Sequence, residues 1–104
     1  MPDTIDPLVT RFVDAVNAGD KDGLAALLAD GATMSDDGSD RDLDNWLDRE
    51  MFSTHGRIAV ESVTAPDGRS LIAEVVNDTW GAMRTRWKFF VDNGKITRFE
   101  TGQA

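Results

Sequence analysis

The apolar residues of this chain change their spacing once, at Gly56, and that change limits what it can fold into. Before it, Ile5, Leu8, Val9, Phe12, Val13 and Val16 recur at i, i+3, i+4, i+7, i+8 and i+11, which is one face of an α-helix. Asp3 or Thr4 is placed to cap this helix and Gly19 to stop it. Asp20 then caps a short second helix that carries Leu24, Leu27 and Leu28 and ends near Gly31, so the two form a helical hairpin. After Gly56 the period is two. Ile58 and Val60 open a strand that runs to the Pro66-Asp67-Gly68 turn, and residues 71–80, 83–92 and 95–101 continue as an antiparallel meander, turning at Gly81-Ala82 and Asn93-Gly94.

Between these halves lies a mixed segment. Ala32-Thr33-Met34-Ser35-Asp36 reads as a short strand before the Asp37-Gly38 turn, and alternation puts Ala32, Met34 and Asp36 on one face. Ser39 or Asp40 can cap a third helix with Leu43, Trp46, Leu47 and Met51 as its apolar stripe, running to about Phe52. Along 83–92, alternation turns Thr85, Trp87, Phe89 and Val91 inward and Arg84, Arg86, Lys88 and Phe90 outward. The order ααβαββββ over residues 1–104 predicts one α+β domain, with helices packed on one face of a curved antiparallel sheet.

Charge and composition remove several functions. Eleven Lys and Arg against nineteen Asp and Glu give a net charge of −8, and the first fifty residues hold thirteen of the acids and four of the bases. Such a surface repels phosphate backbones and anionic lipid, so neither nucleic acid nor a membrane is the expected partner. No cysteine is present, and one histidine alone does not make a transition-metal site. Asp40, Asp42 and Asp44 alternate like a calcium loop, but Asn45 stands where the loop needs glycine and Met51 where it needs glutamate. No apolar run approaches the roughly 20 residues that span a bilayer, and the first residues lack the basic and apolar regions of a secretion signal, so a cytoplasmic location is expected.

The stretch Arg11-Phe12-Val13-Asp14-Ala15-Val16-Asn17-Ala18-Gly19-Asp20, followed by Asp22-Gly23-Leu24 and by Leu27-Leu28-Ala29-Asp30-Gly31-Ala32-Thr33-Met34, resembles the nuclear transport factor 2-like superfamily. Within it, the pattern is most similar to ketosteroid isomerases and polyketide-cyclase-like proteins. The resemblance implies a cone-shaped, cystatin-like fold in which three helices close a pocket formed by the sheet. It also implies cofactor-free chemistry and a homodimer paired through the outer sheet face, where Phe90 is the expected contact. The family's general base, after the Ala-Thr-apolar motif, falls on Asp36, and strand parity independently turns Asp36 toward the core.

The remaining isomerase machinery does not carry over. The oxyanion-hole tyrosine falls on Phe12, and the second donor, a protonated aspartic acid, falls on Trp87. Trp87 keeps an indole N–H, a donor if its ring is angled into the cavity. Trp46 and Phe99 fall on aromatic pocket positions, so the expected pocket is Phe12, Asp36, Trp46, Trp87 and Phe99, suited to a flat apolar ligand with one polarisable group. His55 is either a proton shuttle partnered with Asp36 or an exposed loop residue, and Asp36 itself is either a base or part of a solvated turn. Two functions follow: an isomerase, cyclase or hydratase using Asp36, or a non-catalytic ligand-binding or dimerisation module.

Overall fold

Asp6 and Pro7 decide where the chain becomes helical. In the computed structural model, which describes residues 4–104, helix α1 spans Pro7–Ala18. Pro7 sits in the first turn, where its missing N–H costs nothing, and Asp6 Oδ1 accepts the Leu8 amide at 2.8 Å. The cap is therefore Asp6, not Thr4, and Asp3 lies outside the described residues. Asp6 also pairs with Arg69 Nε at 3.0 Å. Burial disfavours its charge, but the Leu8 amide and the Arg69 guanidinium outweigh burial and hold its carboxyl below the ordinary aspartate value. Helix α1 stops at Gly19 as the spacing predicts, and Leu8, Val9, Phe12, Val13 and Val16 are buried.

Helix α2, Lys21–Ala25, is shorter than its leucine spacing suggests. Leu28 leaves the helix to open strand β1, Leu28–Asp36, because it pairs with Ile96 far along the chain. Strand β2, Ser39–Arg41, folds back antiparallel on β1 where the sequence predicts the start of a helix. The turn between them is Asp37-Gly38 with φ values of 50° and 83°, the left-handed pair that a two-residue hairpin requires. The cap of the next helix consequently moves from Ser39 or Asp40 to Asp42, whose Oδ1 accepts the Asn45 amide at 3.0 Å.

Helix α3, Leu43–Leu47, continues directly into a π-helical turn, Asp48–Phe52, closed by the Ser53 amide on the Asp48 carbonyl at 2.7 Å. The third helical segment thus ends at Phe52, as its apolar stripe predicts. Gly56 follows against the Met51 backbone, where a Cβ would lie 2.7 Å from Met51 Cα. Only glycine lets the chain pass there into the sheet.

Strands β3 (Arg57–Val63), β4 (Ser70–Asn77), β5 (Gly81–Asp92) and β6 (Lys95–Gln103) form the antiparallel meander. The whole sheet has the order β2-β1-β6-β5-β4-β3. One junction departs from the antiparallel expectation: β1 and β6 run parallel, with Met34 opposite Phe99 and Asp36 opposite Thr101. The connection between them contains a helix and four strands, long enough to return the chain in the same direction.

Alternation in β5 holds, with Thr85, Trp87 and Phe89 buried and Arg84, Arg86, Lys88 and Phe90 exposed. The helices cover the inner face around Phe12, whose ring centre lies 5.1 Å from Phe89, 5.2 Å from Phe99 and 5.9 Å from Trp87. Asn17 ties α1 to the edge strand β3, its Oδ1 accepting the Ile58 amide at 2.8 Å and its Nδ2 donating to the Ile58 carbonyl at 2.9 Å. On the outer face the basic row is partly paired: Arg84 meets Glu61 at 3.0 Å, and Arg98 meets Asp40 at 2.8 Å and Glu100 at 3.2 Å. Among the described residues no helix is long and apolar enough to cross a membrane.

Candidate functional site

The aromatic cluster fills the closed end of the space between helices and sheet and leaves the other end open. That opening is a cavity of about 600 Å³. Trp46 from α3 and Trp87 from β5 form its floor, with ring centres 6.2 Å apart and planes at 72°. Met51, Val75 and Met83 supply the rest of its apolar wall. Phe12 and Phe99, both with no exposed surface, lie behind the two tryptophans and do not reach the cavity. They are core because their rings are surrounded by Trp87 and Phe89 on the sheet and by each other.

Asp36 ends β1 at the cavity. Its Oδ2 accepts the Trp46 indole Nε1–H at 3.0 Å, while its other oxygen has no hydrogen-bond partner among the described residues. The sequence-predicted residues Asp36, Trp46 and Trp87 are therefore brought together. His55 is not among them. It sits on the exposed turn before β3 at φ 56°, its side chain 77% exposed, with Nδ1 2.7 Å from Asp78 Oδ2. That turn is joined to the β4–β5 connection through the Asp78 amide and the Thr54 carbonyl, which takes His55 out of the cavity lining.

The indole N–H of Trp87 is committed within the wall. Trp87 Nε1 donates to Thr85 Oγ1 at 2.8 Å, and Thr85 Oγ1 donates in turn to the Ala73 carbonyl at 2.8 Å. All of this is buried, so the donor left open by the sequence is spent on the protein. The cavity thus has a positioned carboxylate and no oxyanion donor at either position that the resemblance indicates.

Several lining residues escape sequence reasoning. The π turn presents three consecutive residues, Arg49, Glu50 and Met51, to the cavity, which a regular helix would spread over most of its circumference. Asn77, buried, fixes the facing hairpin: its Nδ2 donates to the Glu50 carbonyl at 3.0 Å and its Oδ1 accepts the amides of Thr79 and Trp80 at 3.1 and 2.8 Å. Trp80 extends over the rim, its Nε1 donating to Glu50 Oε2 at 3.1 Å. Arg41 reaches the cavity from β2, where it stands directly opposite Met34 and so shares a sheet face with Met34 and Asp36. Reading Asp37-Gly38 as a tight hairpin would have exposed that pairing. Among the described residues no group of three or more His, Cys, Asp or Glu is placed to hold a metal ion.

No family profile matches the chain and no curated protein matches it. Solved structures do. An NTF2-like protein of unknown function from Cytophaga hutchinsonii superposes with a TM-score of 0.77 at 17% identity, covering 100% of this chain and 95% of its own. A candidate polyketide cyclase from Sinorhizobium meliloti gives 0.76 at 21% identity over 93% and 94% of the two chains. A candidate ketosteroid isomerase from Kribbella flavida gives 0.72 at 16% identity over 93% and 75%. At these identities the likeness is one of fold, and it agrees with the element order and sheet topology found above. The chain therefore has the nuclear transport factor 2-like fold of the cystatin type.

Proposed function

We propose that this domain binds a flat, largely apolar molecule in the cavity between Trp46, Trp87 and Met51, and that Asp36 acts on it as a general base in a cofactor-free isomerisation, cyclisation or hydration. The observation that carries the reading is the divided hydrogen bonding of Asp36: Trp46 holds one oxygen at 3.0 Å and orients the carboxylate, while the other is left to accept a proton. Such a base removes a proton from a carbon beside a carbonyl or from an attacking water. The TM-scores above 0.7 to proteins described as a polyketide cyclase and a ketosteroid isomerase support this class. Because fold alone does not carry chemistry, the carboxylate geometry is what the reading rests on.

The commitment of the Trp87 indole to Thr85 favours a second reading, a binding module without turnover. Losing one oxyanion donor costs on the order of 100-fold in rate or more, and here two are missing relative to the isomerases. The two readings separate in one experiment. A thermal-shift panel of planar ketones, steroids and aromatic polyketides identifies a ligand, and deuterium exchange at its acidic carbon is then followed by NMR with wild type and Asp36→Asn. Asparagine keeps an oxygen for the Trp46 indole, so the melting temperature should hold while exchange falls by roughly 100-fold or more. Unchanged exchange in Asp36→Asn refutes the base. Binding with no exchange in either protein leaves the binding module.

A further inference from the structure

We infer that the ligand of this cavity is an anion, a planar apolar carboxylate, and that Arg41 is the residue that selects it. The inference rests on the cavity reading above and adds the ligand's charge. Arg41 and Arg49 are the two cations lining the cavity, and Arg41 has no ion pair or side-chain hydrogen bond among the described residues.

That is unexpected for a cation flanked in sequence by Asp40 and Asp42 in the most acidic part of a chain of net charge −8. None of the acids that flank it in sequence or line the cavity pairs with it among the described residues. Asp40 pairs with Arg98 at 2.8 Å across the sheet, and Asp42 caps α3 at the Asn45 amide. Asp36 holds the Trp46 indole, and Asp37 Oδ1 accepts the Gln103 amide at 2.9 Å. Glu50 takes the Trp80 indole and lies 4.0 Å from Arg49. These contacts fix the carboxylates in the hairpin, the helix and the cavity wall without cancelling their charge, and none of them brings a carboxylate within ion-pair distance of the Arg41 guanidinium.

A guanidinium left unpaired on the same sheet face as Asp36 offers a planar fork of donors that fits a carboxylate in bidentate fashion. A ring system lying on Trp46 and Trp87 would place its acidic group at the rim, where Arg41 meets it and Arg49 adds a second positive charge. A neutral steroid or ketone would leave this arrangement unused.

The test compares 2-naphthoate with its neutral counterpart 2-acetonaphthone by isothermal titration calorimetry on wild type and Arg41→Gln. The indole N–H signals of Trp46 and Trp87 are followed by NMR to locate the probe. The naphthoate is expected to bind about tenfold more tightly than the ketone, the size of one charge-assisted hydrogen bond, and to lose affinity as salt is raised. Arg41→Gln should erase that preference. Equal or tighter binding of the ketone to wild type overturns the inference, as does a preference that survives in Arg41→Gln; both leave the cavity reading standing. If neither probe binds, the inference and the cavity reading fall together.

Discussion

Thr85→Val tests whether the Trp87 indole is sealed into the wall of the cavity. Valine matches threonine closely in shape, so the substitution leaves no large void and changes chiefly the hydroxyl. Thr85 Oγ1 is the acceptor for Trp87 Nε1 and the donor to the Ala73 carbonyl, both at 2.8 Å, and Thr85 and Trp87 are 9% and 3% exposed. Valine strands a buried indole N–H, which costs about 1–3 kcal/mol, and removes one acceptor contact from a carbonyl that has a second lone pair. The expected loss is about 2 kcal/mol, or roughly 10 °C in melting temperature for a domain of this size. Thr85→Ser keeps the hydroxyl and gives up a single methyl, so it should lose about 1 kcal/mol or less. Urea unfolding followed by tryptophan fluorescence measures both. A Thr85→Val protein within about 0.5 kcal/mol of wild type, or no less stable than Thr85→Ser, would show that solvent or a ligand already satisfies this N–H, and the argument that it is unavailable would be wrong.

Other substitutions test the rest of the framework. Asp6→Ala should cost about 1–2 kcal/mol by removing the α1 cap, whereas Asp6→Asn should cost less because asparagine caps well. The Asp6 carboxyl titrates below its ordinary 3.8 in the folded state, so its contribution is complete above that value and is lost as pH falls through the folded one. Asp6→Asn should therefore flatten the acid limb of the stability curve; an unchanged limb would show that the Arg69 pair contributes nothing. Self-association through the outer sheet face is tested by Phe90→Asp, since Phe90 is 36% exposed there with Lys88 Nζ 5.1 Å from its ring centre. Sedimentation should give a dimer for wild type and a monomer for the variant, and an unchanged dimer would place the contact elsewhere.

What the sequence reveals and what it hides divide along local and distant causes. The apolar face of helix α1 from Leu8 to Val16, its stop at Gly19, the alternation from Arg84 to Phe90 in β5 and the Asn93-Gly94 turn are written in adjacent residues and appear where the pattern places them, whereas the start of α1 moves from Thr4 to Asp6. Leu28 misleads because its spacing from Leu24 suits a helix, while its partner in the sheet is Ile96. Strand β2 carries no apolar signal at all: Ser39, Asp40 and Arg41 are exposed, and the strand exists because the hairpin turn delivers them to β1. At the site, Asp36 was legible through parity and Trp46 and Trp87 through resemblance. Phe12 and Phe99 differ from those tryptophans by one layer of burial, which no linear pattern encodes. Arg49 and Glu50 lie outside the apolar stripe of Leu43, Trp46, Leu47 and Met51, and the π turn brings them to the cavity.

The parallel pairing of β1 with β6 also governs when this protein can fold. Thr33 and Arg98, neighbours in the sheet, are separated by 65 residues. A ribosome adding about 5–20 residues per second would deliver β6 roughly 3–13 s after β1. Throughout that interval β1 has only the three residues of β2 beside it, and the apolar face of α1 has no completed sheet to cover it. Nascent chains of this domain should thus remain open to chaperones and proteases until residues 96–101 emerge, and a chain interrupted before them should fail as a whole instead of losing one strand.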